Sequence, residues 1–196
     1  MIPPRLGEYG IKDEEWLHAM QQAVYKNVED EILLDIQKRS VEHDRWDIVY
    51  LLSYLAGLET SVLLDAENKI FIDWGLPGSV HLKQPIGAKI PFKLWVHTHP
   101  RMDTYWSRTD KDSLAFSTLL LQNASVLGRQ GIKTSRNSTL VEIDECPSIS
   151  EAEPLQFWTD EAIEDWETWY EDRDIMFDET NSLTNICWLA TFNERR

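Results

Sequence analysis

Two histidines and one aspartate near the middle of this 196-residue chain have the types and spacing of metal ligands. His97 and His99 close an apolar run, IPFKLWVHTH, typical of a buried strand that begins near Pro91, and Asp110 follows a polar and aromatic loop. Side chains two positions apart on a strand point to the same face, so both imidazoles can reach one point. Two imidazoles and a carboxylate suit zinc and leave its fourth tetrahedral position for water, which the metal activates near neutral pH.

Each part of this pattern also has an ordinary structural interpretation. Two histidines on a strand are by themselves more often a polar strand edge or hydrogen-bonded core groups than metal ligands. Ser107 and Asp110, in the order Ser-x-x-Asp, are by themselves a helix-capping pair, and Pro100 alone ends a strand. The prediction of a metal site therefore depends on the combination of His-x-His-Pro, a gap of seven residues between His99 and Ser107, and Ser-x-x-Asp.

That combination resembles a known family. The segment HTHPRMDTYWSRTD, residues 97–110, matches every defining position in the signature of the JAMM, or MPN+, zinc metallopeptidases. The resemblance covers roughly residues 46–145. It implies that His97, His99 and Asp110 bind one zinc ion and that the Ser107 hydroxyl helps to stabilise the oxyanion. Thr98 replaces the commoner serine between the histidines, at a position not expected to bind metal.

The same family uses an upstream glutamate that takes the proton from the attacking water and passes it to the leaving amine. In relatives this residue opens an apolar strand that follows a helix. Glu59 fits because Gly57 ends a predicted helix and Glu59 begins the run ETSVLL. Glu67, in a predicted turn, and Glu42, at a helix start, fit less well. A solvated carboxylate at the start of the strand is the alternative interpretation of Glu59.

Several aromatic residues border the predicted metal site. The loop from Arg101 to Trp106 follows the histidines, so we expect Tyr105 and Trp106 to form a wall of a substrate-binding cleft. Trp95 is expected to alternate with the metal-facing side and to pack in the core. His81, in a loop before the metal strand, could line a substrate groove, although a solvent-exposed loop histidine is the simpler interpretation.

The elements that must position these residues follow from hydrophobic periodicity and turn residues. The sequence first predicts one amphipathic helix or two short ones from Lys12 to about Arg39, and then a helix over roughly Val41 to Ala56. A hairpin formed by ETSVLLD and KIFIDW follows, and then the strand that starts near Pro91. After a helix that opens near Ser107, we expect strands near Ala124 to Leu127 and Thr139 to Ile143, separated by the loop GRQGIKTSRNS.

This order predicts an α/β fold. The resemblance narrows it to the JAMM/MPN (cytidine deaminase-like) fold, a central mixed sheet flanked by helices. We expect a helical N-terminal extension over residues 1–40, a catalytic core over 41–146, and an acidic, Trp-rich C-terminal extension over 147–196 packed on or beside the core. In this last extension five apolar residues lie in helical register among carboxylates: Trp158, Ile163, Trp166, Trp169 and Tyr170. They indicate either a helix packed on the core or a docking surface for a basic partner.

The charge of the chain limits its partners. It has 19 Lys and Arg against 34 Asp and Glu, a net charge of −15, and residues 142–180 hold 15 of the acidic residues. Such a chain is repelled by nucleic acid and by anionic lipid. The two cysteines form no disulfide framework, and the sequence has no basic, apolar leader and no apolar stretch long enough for a bilayer. We therefore expect a cytoplasmic protein that binds neither nucleic acid nor membrane.

The predicted function is a zinc-dependent peptidase or isopeptidase. The resemblance implies that it cleaves the bond after the C-terminus of a ubiquitin-like modifier, which would be its protein partner. An extended C-terminal tail could add as a strand beside the core sheet. Two alternatives stay open: a catalytically silent scaffold or assembly subunit, and an enzyme that processes sulfur-carrier proteins or small peptides. The sequence leaves the oligomeric state open.

Overall fold

A six-stranded mixed sheet forms the centre of the protein, with strand order β2-β1-β3-β4-β5-β6. The computed structural model describes residues 5–175. All neighbouring strands are antiparallel except β3 and β4, which are parallel and are connected by helix α4. In chain order the elements are α1 (Asp13–Val24), α2 (Glu31–Glu42), α3 (Trp46–Ala56), β1 (Thr60–Leu64), β2 (Ile70–Trp74), β3 (Phe92–Thr98), α4 (Arg108–Phe116), β4 (Leu121–Gly128), β5 (Gly131–Arg136), β6 (Ile163–Asp165) and α5 (Trp166–Glu171).

The coarse prediction of a mixed α/β fold is confirmed, with five α-helices among residues 5–175. One face of the sheet packs against α1, α2, α3 and α5, and Val62 and Val96 contribute to that core. The other face packs against α4, and Leu63 and Trp95 contribute there. Because side chains alternate along β3, Val96 and Trp95 belong to opposite cores.

The helical region before the sheet differs from the prediction in its boundaries. The periodic stretch from Lys12 forms two helices, and α2 begins where the Asp30 carboxylate accepts hydrogen bonds from the backbone N–H groups of Ile32 and Leu33. The next helix begins at Trp46 rather than Val41, because residue Asp44 adopts a positive φ of 53° and ends the preceding turn. Gly57 ends α3 in the left-handed conformation, as predicted.

The second strand after α4 was placed wrongly. β5 occupies Gly131–Arg136, inside the segment predicted as a loop, and the predicted strand from Thr139 to Ile143 is absent. Gly131 has a φ of 149°, which lets the chain fold straight back onto β4. Residues 139–141 instead coil around Asn137, whose carbonyl accepts from the N–H groups of Leu140 and Val141.

The acidic C-terminal segment contributes directly to this sheet through β6, which pairs with β5. The expectation of one helical register was wrong for its first two residues: Trp158 precedes β6 and packs on the α4 side, and Ile163 lies in β6. Trp166, Trp169 and Tyr170 are buried in α5. Residues 176–196, also assigned to the C-terminal extension, lie outside the described residues.

None of the helices found between residues 5 and 175 has the length and apolar character that a membrane crossing requires.

Candidate metal centre

The two histidines lie at the end of β3, in the middle of the sheet. His97 is opposite Ser61 of β1 and Val126 of β4. His99 lies one residue beyond the strand, and its N–H donates to the carbonyl of Leu127 at 2.7 Å, which continues the strand's backbone geometry. Both imidazoles therefore face the α4 side, in agreement with the two-residue periodicity of a strand.

The aspartate is brought to the histidines by the first turn of α4. Ser107 is the N-cap residue, and its hydroxyl oxygen accepts the N–H of Asp110 at 3.2 Å. In return, Oδ2 of Asp110 accepts the N–H of Ser107 at 2.7 Å. The ordinary interpretation of Ser-x-x-Asp as a capping box is thus correct, and this capping box is also what fixes the Asp110 carboxylate toward the end of β3.

The three side chains converge in the interior. Nε2 of His97 lies 3.1 Å from Oδ1 of Asp110, and Nε2 of His99 lies 3.3 Å from Oδ2. Each residue offers one ligand atom so that all of these atoms lie within 4.8 Å of one another. At most 3% of any of the three residues is exposed. This buried group could therefore hold a metal ion.

In the part of the chain that the structure describes, some of the buried ring nitrogens of the site have no hydrogen-bond partner. Nδ1 and Nε2 of His97 and Nδ1 of His99 are buried and have no hydrogen-bond partner among the described residues. Nε2 of His97 is close to Asp110 but is not aligned for a hydrogen bond with it. Buried nitrogen atoms without partners are rare in folded proteins. A cation bound by the imidazoles and the carboxylate would satisfy Nε2 of His97, which is the one of these three atoms that faces Asp110.

The electrostatics of the group also favour a cation. Burial lowers the pKa of His97, which keeps the imidazole neutral and leaves a lone pair for a metal. Burial raises the pKa of Asp110, but His97, His99 and Ser107 together hold the pKa of this carboxyl well below its usual range. The site therefore offers a neutral imidazole at His97 and an ionised carboxylate at Asp110, the protonation states that metal binding requires of these two residues.

Glu59 lies beside this group. It immediately precedes β1, and continuing the pairing of Ser61 with His97 by two residues brings Glu59 opposite His99. Its carboxylate is outside the metal-binding group and accepts a hydrogen bond from the N–H of Val80. Only 3% of Glu59 is exposed, so the alternative of a solvated carboxylate is wrong. Glu67, the weaker candidate, is exposed in the hairpin turn.

The pKa of Glu59 is suited to proton transfer near neutral pH. Burial is the main reason that the pKa rises to about 7, and the negative charge of Asp110 adds to the rise. His99 and the hydrogen bond from Val80 act in the opposite direction. A carboxyl with this pKa can both accept and release a proton at neutral pH, which a general base that later acts as an acid must do.

Aromatic rings enclose the histidines. The ring of Trp106 lies 5.8 Å from that of His97, and the ring of Tyr105 lies 5.0 Å from that of His99. Trp106 is buried, whereas 46% of Tyr105 is exposed. The structure thus brings both predicted wall residues next to the metal group, and only Tyr105 offers a solvent-facing surface to a bound molecule.

Trp95 has a role that the sequence prediction missed. It is buried, as expected, but its ring stacks on that of His97 at 4.5 Å with an angle of 18° between the planes. Its indole N–H donates to the hydroxyl of Ser61 at 2.9 Å, which fixes the orientation of the ring. The expected alternation was wrong because Trp95 and His97 are two positions apart and share a face. That spacing could have identified Trp95.

Thr98 is a second residue whose contribution was missed. It faces the helical layer, away from the metal group, and its Oγ1 accepts the N–H of Thr60 at 2.8 Å. The Ser53 hydroxyl donates to the carbonyl of Leu58 at 2.6 Å, so the 2.5 Å contact between Ser53 and Thr98 is a hydrogen bond donated by Thr98. These bonds connect Thr98, which lies between the two histidines, directly to Thr60 and through Ser53 to Leu58. Leu58 and Thr60 are the two neighbours of Glu59 in the chain.

His81 lies on the rim of two open cavities. One, of about 530 Å³, is lined on the β1–β2 side by Ser61, Phe71 and Asp73. The other, of about 360 Å³, lies against α4, where Phe116 contributes. His81 is exposed and follows Val80, the residue that binds Glu59. The exposed position agrees with the simpler interpretation of a loop histidine, and His81 is not part of the metal group. That it lines a substrate groove stays a prediction.

No family model, curated protein or solved structure matches this chain significantly. A function for the chain must therefore be argued from the site and from the fold that positions it.

Proposed function

We propose that the protein is a zinc-dependent peptidase or isopeptidase of the JAMM type. The observation that carries the proposal is the convergence of His97, His99 and Asp110 beside a buried glutamate that is not one of the possible ligands. In a purely structural cluster, burying a second carboxyl would lower the stability of the fold without any compensating role. Here Glu59 has the burial and the pKa that a general base for hydrolysis needs.

Zinc fits the donor set better than a hard cation does. Imidazole nitrogens suit zinc and the transition metals, whereas magnesium and calcium prefer sites made entirely of oxygen. Two imidazoles and one carboxylate form a three-ligand set of the kind that catalytic zinc sites use. A zinc ion held there would supply Lewis-acid activation of water and of a substrate carbonyl.

The residues of the chain divide the remaining work of amide hydrolysis. Glu59 takes a proton from the water that attacks the carbonyl carbon, and the C–N bond breaks as Glu59 delivers that proton to the leaving nitrogen. The hydroxyl of Ser107 accepts the N–H of Asp110, which leaves its own proton free to be donated to the developing oxyanion. Trp95 and Trp106 pack against the ring of His97 and hold it in place.

An extended peptide is the substrate that suits the surroundings of the site. His81 lines both cavities and follows Val80, whose N–H binds Glu59, and an extended tail could occupy the two cavities in the manner of an added strand. The tail of a ubiquitin-like modifier has this character, and the bond cleaved would be the one that follows its C-terminus. This substrate class is the finer part of the proposal and depends on the enzymatic one.

The first experiment is the zinc content of the purified full chain, measured by plasma mass spectrometry. We expect about one zinc per chain in the parent and almost none in Asp110→Ala, because three ligands define the site. A parent chain that takes up no zinc after incubation with the metal would overturn the proposal in favour of a scaffold.

The second experiment tests Glu59 with ubiquitin-like proteins that carry a fluorogenic group at the C-terminus. Glu59→Gln should retain zinc and lose hydrolysis by roughly 10²–10⁴-fold, the usual contribution of a general base. Glu67→Gln is the matched control, since it changes an exposed glutamate in the hairpin turn and should keep both zinc and activity. A fully active Glu59→Gln variant would eliminate this residue as the base.

A further inference from the structure

The loop that carries Tyr105 and Trp106 is held from one side by the turn between β4 and β5. Arg129 donates its backbone N–H to the carbonyl of Met102 at 2.9 Å. The N–H of Thr104 donates to Oε1 of Gln130 at 3.1 Å, and the Thr104 hydroxyl donates to the carbonyl of Gly131 at 3.2 Å. Thr104 is 3% exposed although it lies in a loop, so it is the point at which this loop enters the protein interior.

The contact between loop and turn is too close for any side chain at Gly128. A Cβ atom there would lie 2.5 Å from Oγ1 of Thr104 and 2.8 Å from its backbone N and Cα. Real Cβ atoms do not approach backbone atoms so closely, so a substitution must displace the loop. The position of the loop is therefore set by direct packing of Thr104 on the backbone at the end of β4.

The acidic C-terminal segment holds the turn between β4 and β5. Trp166 donates its indole N–H to the carbonyl of Gly128 at 3.0 Å. Gly131 pairs with Asp165 in the sheet, and a Cβ atom on Gly131 would lie 2.7 Å from Cα of Asp165. Trp166 is buried against Tyr50, which anchors it to the helical layer.

From these contacts we infer that Thr104 is a positioning residue for the wall of the metal site, and that Asp165 and Trp166 are the support on which this positioning depends. The C-terminal segment is then part of the architecture of the site as well as a carrier of charge. Contacts run without interruption from Trp166 through Gly128 to Thr104, and from Thr104 along the chain to Tyr105 and Trp106. The consequence for catalysis rests on the function proposed above, but the positioning itself does not.

The inference is tested on the full chain by the signal of the Trp106 indole N–H in a ¹⁵N spectrum, identified by its loss in Trp106→Phe. Gln130→Ala removes the acceptor of the Thr104 N–H, and Trp166→Phe removes the donor to Gly128. Both should move the Trp106 signal while keeping the zinc content of the parent. With an active substrate, KM should rise about tenfold with little change in kcat, less than the roughly 100-fold cost of a 1 Å misplacement at the reacting atoms.

Matched controls separate this effect from general loosening of the core. Trp169→Phe removes an indole N–H that is equally buried but has no partner among the described residues, and it should leave the Trp106 signal in place. Gly128→Ala should displace the signal furthest, and Gly7→Ala, where a Cβ meets nothing within 4 Å, should not displace it.

Two results would overturn the inference: an unmoved Trp106 signal in folded Gln130→Ala and Trp166→Phe, or an equal movement in Trp169→Phe. If the parent chain hydrolyses nothing, the proposed function fails while the indole signal still decides the positioning.

Discussion

Asp47 and Asp110 are buried carboxylates in the first turns of two helices, and their hydrogen-bond surroundings differ. Asp47 in α3 accepts hydrogen bonds from Nε and Nη2 of Arg45 at 2.8 and 2.7 Å and from the hydroxyl of Tyr170 at 2.9 Å. Asp110 in α4 accepts the N–H of Ser107 and faces two imidazoles whose nitrogens lie 3.1 and 3.3 Å away. Both carboxylates are almost completely buried.

The difference lies in what each cluster leaves unsatisfied. The Asp47 cluster is closed, because the charge of the carboxylate meets a bidentate guanidinium and a hydroxyl. The Asp110 cluster leaves nitrogen atoms of His97 and His99 without partners in the described chain. Closed clusters of this kind stabilise a fold, whereas an open one costs stability unless something binds there. The contrast marks the Asp110 cluster as the one of the two that could bind a further ligand.

The largest expected effect on stability follows from breaking the closed cluster. Asp47→Asn removes the negative charge that Arg45 requires and turns an amide N–H₂ toward the guanidinium or toward Tyr170. Breaking a buried ion pair on one side costs about 3–5 kcal/mol, so we expect the free energy of unfolding to fall by that amount. Urea denaturation of the zinc-free chain measures it.

The matching variant in the open cluster is Asp110→Asn. Its amide oxygen can still accept the N–H of Ser107, but the variant loses the attraction of His97, His99 and Ser107 that holds the pKa of the Asp110 carboxyl low. Because no buried guanidinium loses its partner, we expect a smaller fall in the free energy of unfolding than in Asp47→Asn. Equal destabilisation by the two variants in zinc-free protein would show that the clusters are alike and would remove the contrast.

A second effect, of about 3 kcal/mol, concerns pH. The pKa of Glu59 rises from 4.5 to about 7 in the folded chain. A carboxyl of this kind keeps its proton in the folded state after the unfolded chain has lost it. Stability therefore falls as pH rises from about 4.5 to about 7, and the loss is complete above that range. Glu59→Gln should remove this dependence, and the difference between variant and parent across the range should be about 3 kcal/mol.

The measurement is chemical denaturation of zinc-free protein at a series of pH values between 4 and 8. Glu67→Gln provides the comparison, since this exposed side chain should leave the pH profile of the parent unchanged. The assignment of the shift to Glu59 would be wrong if the profiles of Glu59→Gln and of the parent ran parallel throughout.

The sequence predicts the open cluster far better than the closed one. His97 and His99 were predictable because a two-residue period holds on any strand, and Asp110 because Ser-x-x-Asp is a local capping signal. The closed cluster joins Asp47 to Tyr170, which are 123 residues apart, and no local pattern announces such a contact. Local sequence patterns thus predict the residues of the open cluster, whereas they do not predict a contact between residues far apart in the chain.

The errors in the fold have similar physical causes. β5 was predicted as a loop because its residues are mostly polar, and its pairing depends on Gly131 and on the partner strands at either side. Trp158 was assigned to the helix of the acidic segment because its spacing to later tryptophans is helical, but its indole N–H donates to the carbonyl of Leu114 in the other core. In both cases tertiary contacts override a weak local preference.

The smallest expected quantity is a coupling energy between Ser53 and Thr98, the residue that separates the two histidines and lies on the opposite face of β3. Thr98→Val keeps the shape of the side chain but leaves the N–H of Thr60 without its acceptor and Ser53 without a donor. An unsatisfied buried group costs about 1–3 kcal/mol. A double-mutant cycle with Ser53→Ala isolates the hydroxyl pair, and we expect a coupling of at least about 0.5 kcal/mol in urea denaturation. Additive costs would show that Thr98 and Ser53 act independently.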